Sequence, residues 1–181
     1  MSKYEPRPAL REKPLLVLGI SDVIVLEGDT RVPTSTHHIS AWGKWVRDVA
    51  IADDAPARIK ELSEVFEIVW ASEWGHNAHT AFRAVLDLPE TPWAFLPVQF
   101  DKLATIRAYA DGWPWVWVDD ELADLAAEPP ICADGVVIRV DPRIGISGLI
   151  PADLLAAVQA LGSPNATAHP VSENNAPNHK E

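Results

Sequence analysis

Three observations predict an α/β fold with a parallel sheet wrapped by helices. Short, largely apolar runs recur: LLVLGI at 15–20, FEIVWA at 66–71, WVWV at 115–118 and GVVIRV at 135–140. Runs of this kind suit strands buried on both faces. Between residues 54 and 161 they alternate with stretches of helical apolar spacing, which argues for parallel strands joined by right-handed crossovers. The first three runs also end in polar groups, Gly19–Asp22, Ser72 and Asp119-Asp120. They lie where open α/β sheets bind ligands, at the carboxyl ends of the strands.

A chain of 181 residues has room for one domain with a real core. The formal net charge of -11 argues against non-specific nucleic-acid binding, which needs a basic surface. It leaves room for a small ligand in a local pocket. The single cysteine, Cys132, excludes an intramolecular disulfide and a thiolate zinc site, and reads as a small buried or half-buried side chain. The first residues, MSKYEPRPALREK, contain no apolar core of a secretory signal. No apolar run reaches the ~20 residues of a membrane span. The expectation is a soluble, cytoplasmic protein without internal repeats.

In chain order, residues 1–13 are charged and contain proline, and read as a flexible lead-in. Strand one covers about 14–20, and EGDTRVPTST at 27–36 reads as loop. HHISAW and KWVRDVAI flank Gly43, so a β-hairpin is expected over about 37–51. The alternative is an amphipathic helix with Trp42, Trp45, Val46 and Val49 on one face. Gly43 interrupts it and β-formers follow, so the hairpin is preferred. Asp53 or Asp54 then caps a helix with Pro56 in its first turn and Ile59 and Leu62 inward.

The second buried strand, 66–71, leads to a helix over about 75–86 with Ala78, Phe82, Val85 and Leu86 inward. Pro89, Pro92 and Pro97 make 87–100 a non-helical connector holding the short run TPWAFLPV. Lys102 opens a helix to Ala110. The third strand, 115–118, places Trp115 and Trp117 on one face. A short helix at 122–127, a fourth strand at 135–140 and a last helix at 151–161 complete the domain, which spans 14–162. Residues 163–181 bury nothing and read as a disordered tail.

A hydroxyl, an ammonium and paired carboxylates at strand ends are the parts that hold a phosphoryl group and a hard cation such as Mg²⁺. The sequence pattern adds to this. A hydrophobic strand with a polar end precedes EIVWASEWGHNAH, KLATIRAYA, PWVWVDDEL and VIRVDPRIGIS. Together these stretches resemble the haloacid dehalogenase (HAD) superfamily of phosphohydrolases, in particular a small single-domain branch. The resemblance covers residues 14–161. It implies a three-layer Rossmann-like HAD fold with a β-hairpin flap and no large cap domain.

The resemblance also implies roles. Ser72 would hydrogen-bond a phosphoryl oxygen, Lys102 would neutralise it, and Asp119 and Asp120 would hold Mg²⁺. The family's first motif, DxD, supplies a nucleophile and a general acid/base. Aligned with LGISDVIV, it places Gly19 at the nucleophile, Ser21 at the acid/base and Asp22 on the family's glycine. Glycine cannot form an aspartyl-phosphate, and a serine hydroxyl is a poor proton shuttle near neutrality. A register slipped by three residues would make Asp22 the nucleophile and lengthen the first strand; otherwise Asp22 braces the flap loop.

The expected function is that of a pseudo-phosphatase that binds a phosphorylated ligand or a protein partner. The alternatives are an active Mg²⁺-dependent phosphohydrolase using Asp22 or Asp119/Asp120, and a purely structural or interaction protein, a homo-oligomer included. In the last case Ser72 caps the following turn, and Lys102 pairs with Asp119 or Asp120 to hold strand ends together. His76 and His79 sit three apart on a helix, a spacing that suits metal ligands and equally a hydrogen-bonding helix face.

Overall fold

A computed structural model describes residues 11–41, 45–97, 101–119 and 134–161. The centre is a parallel sheet. Strand β1 (Leu15–Leu18) lies between β5 (Glu67–Trp70) and β6 (Trp115–Asp119), and β7 (Gly135–Arg139) pairs with the outer side of β6. All the pairings are parallel, with Leu15 opposite both Glu67 and Trp115. Beyond β5 the chain at Phe95 adds a single parallel bridge to Trp70. The short run expected inside the proline-rich connector is therefore present as a sheet edge.

Strand pleating splits the core in two, because successive side chains point to opposite faces. Leu16, Leu18, Ile68, Trp70, Val116 and Val118 face one layer of apolar side chains. Leu15, Val17, Val69, Trp115 and Trp117 face the other. The first layer is completed by helices α1 (Ala55–Val65), α2 (Asn77–Leu86) and α4 (Pro151–Leu161), through residues such as Ile59, Leu62, Phe82, Leu154 and Val158. The second is covered by α3 (Lys102–Ala110), through Ile106 and Ala110. Trp115 lies flat across the next strand. A Cβ on Gly135 would come within 2.0 Å of its indole ring, so only glycine allows β7 to approach.

The hairpin forms. Strands β3 (Thr34–Ala41) and β4 (Trp45–Ala52) pair antiparallel in unbroken register from Thr34↔Ala52 to Ala41↔Trp45. A two-residue strand, β2 (Val25–Leu26), pairs with the far side of β4 and makes a separate three-stranded sheet, β2-β4-β3. The sequence pattern does not foretell β2, which is too short to show alternation. Ile39, Val49 and Ile51 turn inward and join the first core layer.

The expected cap of α1 differs. Asp54 occupies the N-cap position but makes no side-chain cap bond. Its carboxylate instead accepts from the Ser147 hydroxyl, and that of Asp53 accepts from Ser35. Both acids tie neighbouring segments to the start of the helix: the flap, and the 3-10 turn Gly145–Gly148. The lead-in is also anchored at its end. Arg11 donates to the carbonyls of Tyr109 and Ala110, and Lys13 donates to that of Ser63.

No helix of the described residues is long and apolar enough to cross a membrane. Residues 1–10, the Trp42 and Gly43 of the hairpin tip, Asp120, the helix expected at 122–127, Cys132 and the tail at 163–181 lie outside the described residues.

Candidate functional site

Parallel strands all present their carboxyl ends to one edge, so groups far apart in sequence meet there. Strand β1 ends at Leu18, and the amide of Gly19 donates to Val118 O at 3.0 Å. On the other side the amide of Ala71 donates to Leu18 O at 2.8 Å, which sets Ser72 one strand over from Gly19. Asp119 closes β6. A Cβ built on Gly19 would stand 3.1 Å from Asp119 Oδ1. Gly19 and Asp119 are thus in contact, at the point the sequence singles out.

The Asp119 side chain is only 3% exposed. Burying a carboxylate costs several kcal/mol unless charge and hydrogen bonds compensate. Here Lys102 Nζ donates to Oδ2 at 2.8 Å, and the Trp117 indole N–H donates to the same oxygen at 3.2 Å. Lys102 is the first residue of α3, which packs on the face carrying Trp117. Asp101 caps that helix by accepting from the amide of Ala104 at 2.9 Å. The cap fixes where α3 begins, and hence where the Lys102 ammonium enters the sheet edge.

Trp117 belongs to this arrangement and sequence reasoning passes over it. The signal is the i, i+2 spacing of Trp117 and Asp119 on a strand, which puts both on one face. The Ser72 hydroxyl, in a residue 7% exposed, accepts from the amide of Trp74 at 3.3 Å. That bond stabilises the turn leading into α2.

The stretch after Gly19 folds into a tight turn. Ile20 O accepts from the amides of Val23, Ile24 and Val25, and Ser21 is exposed beside a bridge to Val25. Asp22 has φ 57°, a left-handed conformation that glycine adopts freely and aspartate tolerates. Placing Asp22 at the nucleophile position needs a first strand three residues longer than Leu15–Leu18. The turn is held from the other side by the loop after β7: the amide of Ile146 donates to Val23 O at 2.7 Å. Gly145 has φ 56°, and a Cβ on it would come within 2.5 Å of both Val23 O and Leu26.

The nearby acidic and basic residues of that loop satisfy each other. Asp141 accepts from the amide of Arg143 at 2.9 Å and sits between the guanidinium groups of Arg143 and Arg31, at 3.5 and 3.9 Å. The amide hydrogen bond from Arg143 is the largest cause of a carboxyl pKa below its ordinary 3.8.

His79 is 3% exposed. One ring nitrogen, Nε2, lies 2.8 Å from Pro89 O, and the other, Nδ1, accepts from the amide of Trp93 at 3.2 Å. Both nitrogens are therefore engaged in holding the connector to α2, and His76 is exposed. The hydrogen-bonding alternative describes His79. Among the described residues no group of three or more metal-ligating side chains is assembled.

Of the donors the resemblance implies for Mg²⁺, the described edge shows only part. Gly19 brings no carboxylate, Asp119 Oδ2 is engaged by Lys102 and Trp117, and Asp120 lies outside the described residues. No chemical step is routed through a metal here. The sequence matches no protein-family model, and no curated protein matches it.

Proposed function

We propose that this chain is a pseudo-phosphatase of the HAD-like type, one that binds a phosphorylated ligand or a protein partner without hydrolysing phosphate. The observation that carries the reading is Gly19. It stands in contact with Asp119 at the end of the central strand, the position from which a nucleophile would reach a phosphoryl group, and has no side chain to attack with. The left-handed Asp22 supports the register that puts Gly19 there, because the resembling family carries glycine at that place.

Phosphoryl recognition would fall to Ser72 and Lys102. The Lys102 side chain is 23% exposed, and its ammonium would turn toward an oxygen of the ligand from beside Asp119. The ion pair carries no net charge, so binding is weaker than a lone lysine would give.

That same pair favours a second reading. A 2.8 Å bond to a buried carboxylate is what a purely structural clamp between strand ends requires, and the chain would then act through its surface alone. Titration with phosphate or phenyl phosphate, followed by NMR shifts of Ser72 and the α3 amides, separates the two. Saturable shifts support the ligand-binding reading, and their absence supports the clamp.

Turnover of p-nitrophenyl phosphate with Mg²⁺ tests the loss of catalysis. The expected result is none for the wild type. The Gly19→Asp/Ser21→Asp variant should gain Mg²⁺-dependent turnover. Wild-type turnover that disappears in Asp119→Asn would overturn the proposal in favour of an active phosphohydrolase.

A further inference from the structure

We propose that residues 6–8 of this chain's own lead-in add a short antiparallel strand to the open edge of β5, with Arg7 paired to Ile68. The inference is independent of what the carboxyl ends of the strands bind. It starts from the direction of the β5 backbone. The amides of Glu67 and Ala71 donate to Pro14 O and Leu18 O, on the β1 side. Along a strand the backbone groups of successive residues point to opposite sides, so those of Ile68 and Trp70 point away from β1. Trp70 is covered there: its amide donates to Ala94 O at 2.9 Å, and its carbonyl accepts from the Leu96 amide at 2.7 Å. Among the described residues the connector bridges β5 only at Trp70, and no bond to a neighbouring segment engages the outward N–H and C=O of Ile68.

The space beside Ile68 is an open groove of about 1140 Å³. It crosses the sheet edge, from Ser63 and Phe66 at the end of α1 to Tyr109 and Trp113 at the end of α3. The two helices cover opposite faces of the sheet. A bare strand edge takes up extended peptide by backbone pairing, and aromatic-lined grooves take up proline-containing peptide.

The chain carries such a segment beside the groove. Arg11, which lines it, follows Glu5-Pro6-Arg7-Pro8-Ala9-Leu10 in sequence. Glu5 and Arg7 each precede a proline, which biases both toward extended backbone. The prolines also fix the register. Proline has no N–H, so on an edge strand its nitrogen faces solvent. Arg7, between two prolines, then turns its N–H and C=O toward Ile68, and the pair exchanges two hydrogen bonds. Directly opposed residues share a face of the sheet, and their neighbours take the other. In this pairing Arg7 joins Ile68 on the α1 face. The last turn of α1 carries no basic residue, and a second cation beside Lys13 is favoured at that helix end. Pro6 and Pro8 fall on the α3 face, toward Tyr109 and Trp113. Their outward nitrogens close the new edge to further strands.

Reach and direction agree. The segment turns under the amino end of β5 to enter β1, so it runs antiparallel to β5. The added strand and β1 stand two strand spacings apart, about 10 Å, and the four residues from Arg7 to Arg11 span up to about 14 Å. The connector holds the edge from Trp70 onward, so the added strand ends before Glu5. A tether this short gives an effective concentration of about millimolar, which favours this segment over the same residues of another copy.

The test is NMR of the full chain. The expected result is a cross-strand NOE between the amides of Arg7 and Ile68, with the Ile68 amide protected from exchange equally at every protein concentration. Arg7→Pro removes the N–H that the segment donates and should speed Ile68 exchange about tenfold. Pro8→Ala keeps every paired group and should leave Ile68 protected. If Arg7→Pro fails to fold, the NOE in the wild type decides.

A freely exchanging Ile68 amide with no NOE to Arg7 overturns the proposal. Protection of Ile68 that Arg7→Pro leaves intact also overturns it. Protection that rises with concentration overturns it as well, and assigns the edge to a second copy.

Discussion

At the carboxyl end of the parallel sheet, Lys102 donates to a buried carboxylate; at the amino end, Arg11 and Lys13 donate to backbone carbonyls. The amino end carries an open groove of about 1140 Å³ lined by Arg11, Lys13, Trp93, Tyr109 and Trp113 among others. By size alone it would be taken for the site. Yet its cations serve the last carbonyls of α1 and α3, the groups a helix leaves without partners. Arg11 also stacks on Tyr109, 4.6 Å from the ring centroid, and the Trp113 indole donates to Lys13 O at 2.8 Å. These contacts staple the lead-in to two helix ends. The amino end has an ion pair as well, Arg11 with a half-exposed Glu67, whereas the carboxyl end holds its carboxylate buried, paired with Lys102 at the junction of β1, β6 and α3. The partner a cation has chosen says more about function than the volume beside it.

The contrast can be broken most directly at Lys102. Lys102→Met leaves the Asp119 carboxylate buried with its principal countercharge gone, and should cost about 3 kcal/mol in urea unfolding. The double variant Lys102→Met/Asp119→Leu should recover most of that loss, since an apolar pair replaces a buried ion pair nearly neutrally. A single-variant loss no larger than that of an exposed pair would mean the carboxyl end is no more specialised than the amino end.

Gly19→Asp follows in size. Its Cβ would press on Asp119 Oδ1 at 3.1 Å, and the new carboxylate would face an existing one. A loss of about 2 kcal/mol is expected without metal, with part of it regained when Mg²⁺ is added. A melting temperature that ignores Mg²⁺ would show that the restored carboxylate does not complete a cation site.

The amino end should respond more mildly. Arg11→Ala removes donors to Tyr109 and Ala110 and should cost about 1 kcal/mol, while leaving phosphate titrations at Ser72 unchanged. Altered phosphate shifts in that variant would couple the two ends and sharpen the comparison into a single site.

The smallest effect lies in the loop after β7. The Asp141 carboxyl is held below its ordinary 3.8, chiefly by the Arg143 amide. Its contribution is present above that ordinary value and is lost as pH falls through the depressed folded value. Asp141→Asn should therefore lower stability slightly at neutral pH, converge with the wild type in acid, and so flatten the acid limb of the stability curve. An unaltered acid limb would show that Asp141 makes no pH-linked contribution.

Much of the architecture is legible in the residues. The apolar runs at 15–18, 67–70, 115–118 and 135–138 are strands because only a sheet buried on both faces needs such continuity. Helices Lys102–Ala110 and Pro151–Leu161 begin and end where the sequence places them, because proline, glycine and aspartate punctuate the backbone locally. Gly43 and the β-formers after it foretell the hairpin for the same reason. The convergence of Gly19, Ser72, Lys102 and Asp119 on one edge is likewise legible, since parallel strands leave their carboxyl ends together.

Other features depend on contacts between distant segments, which no local pattern encodes. Tertiary packing decided that Lys102 answers Asp119 and that Trp117 shares the same oxygen. It also turned Asp53 and Asp54 from helix caps into ties to Ser35 and Ser147, and made His79 a brace for the connector. A polar side chain's preference for some partner is written in its chemistry, whereas which partner it finds depends on distances set only when the layers close. The sequence by itself thus determined the strands, the helices and the absence of a side chain at position 19. The tertiary structure alone decided that this absence lies against a buried, paired carboxylate.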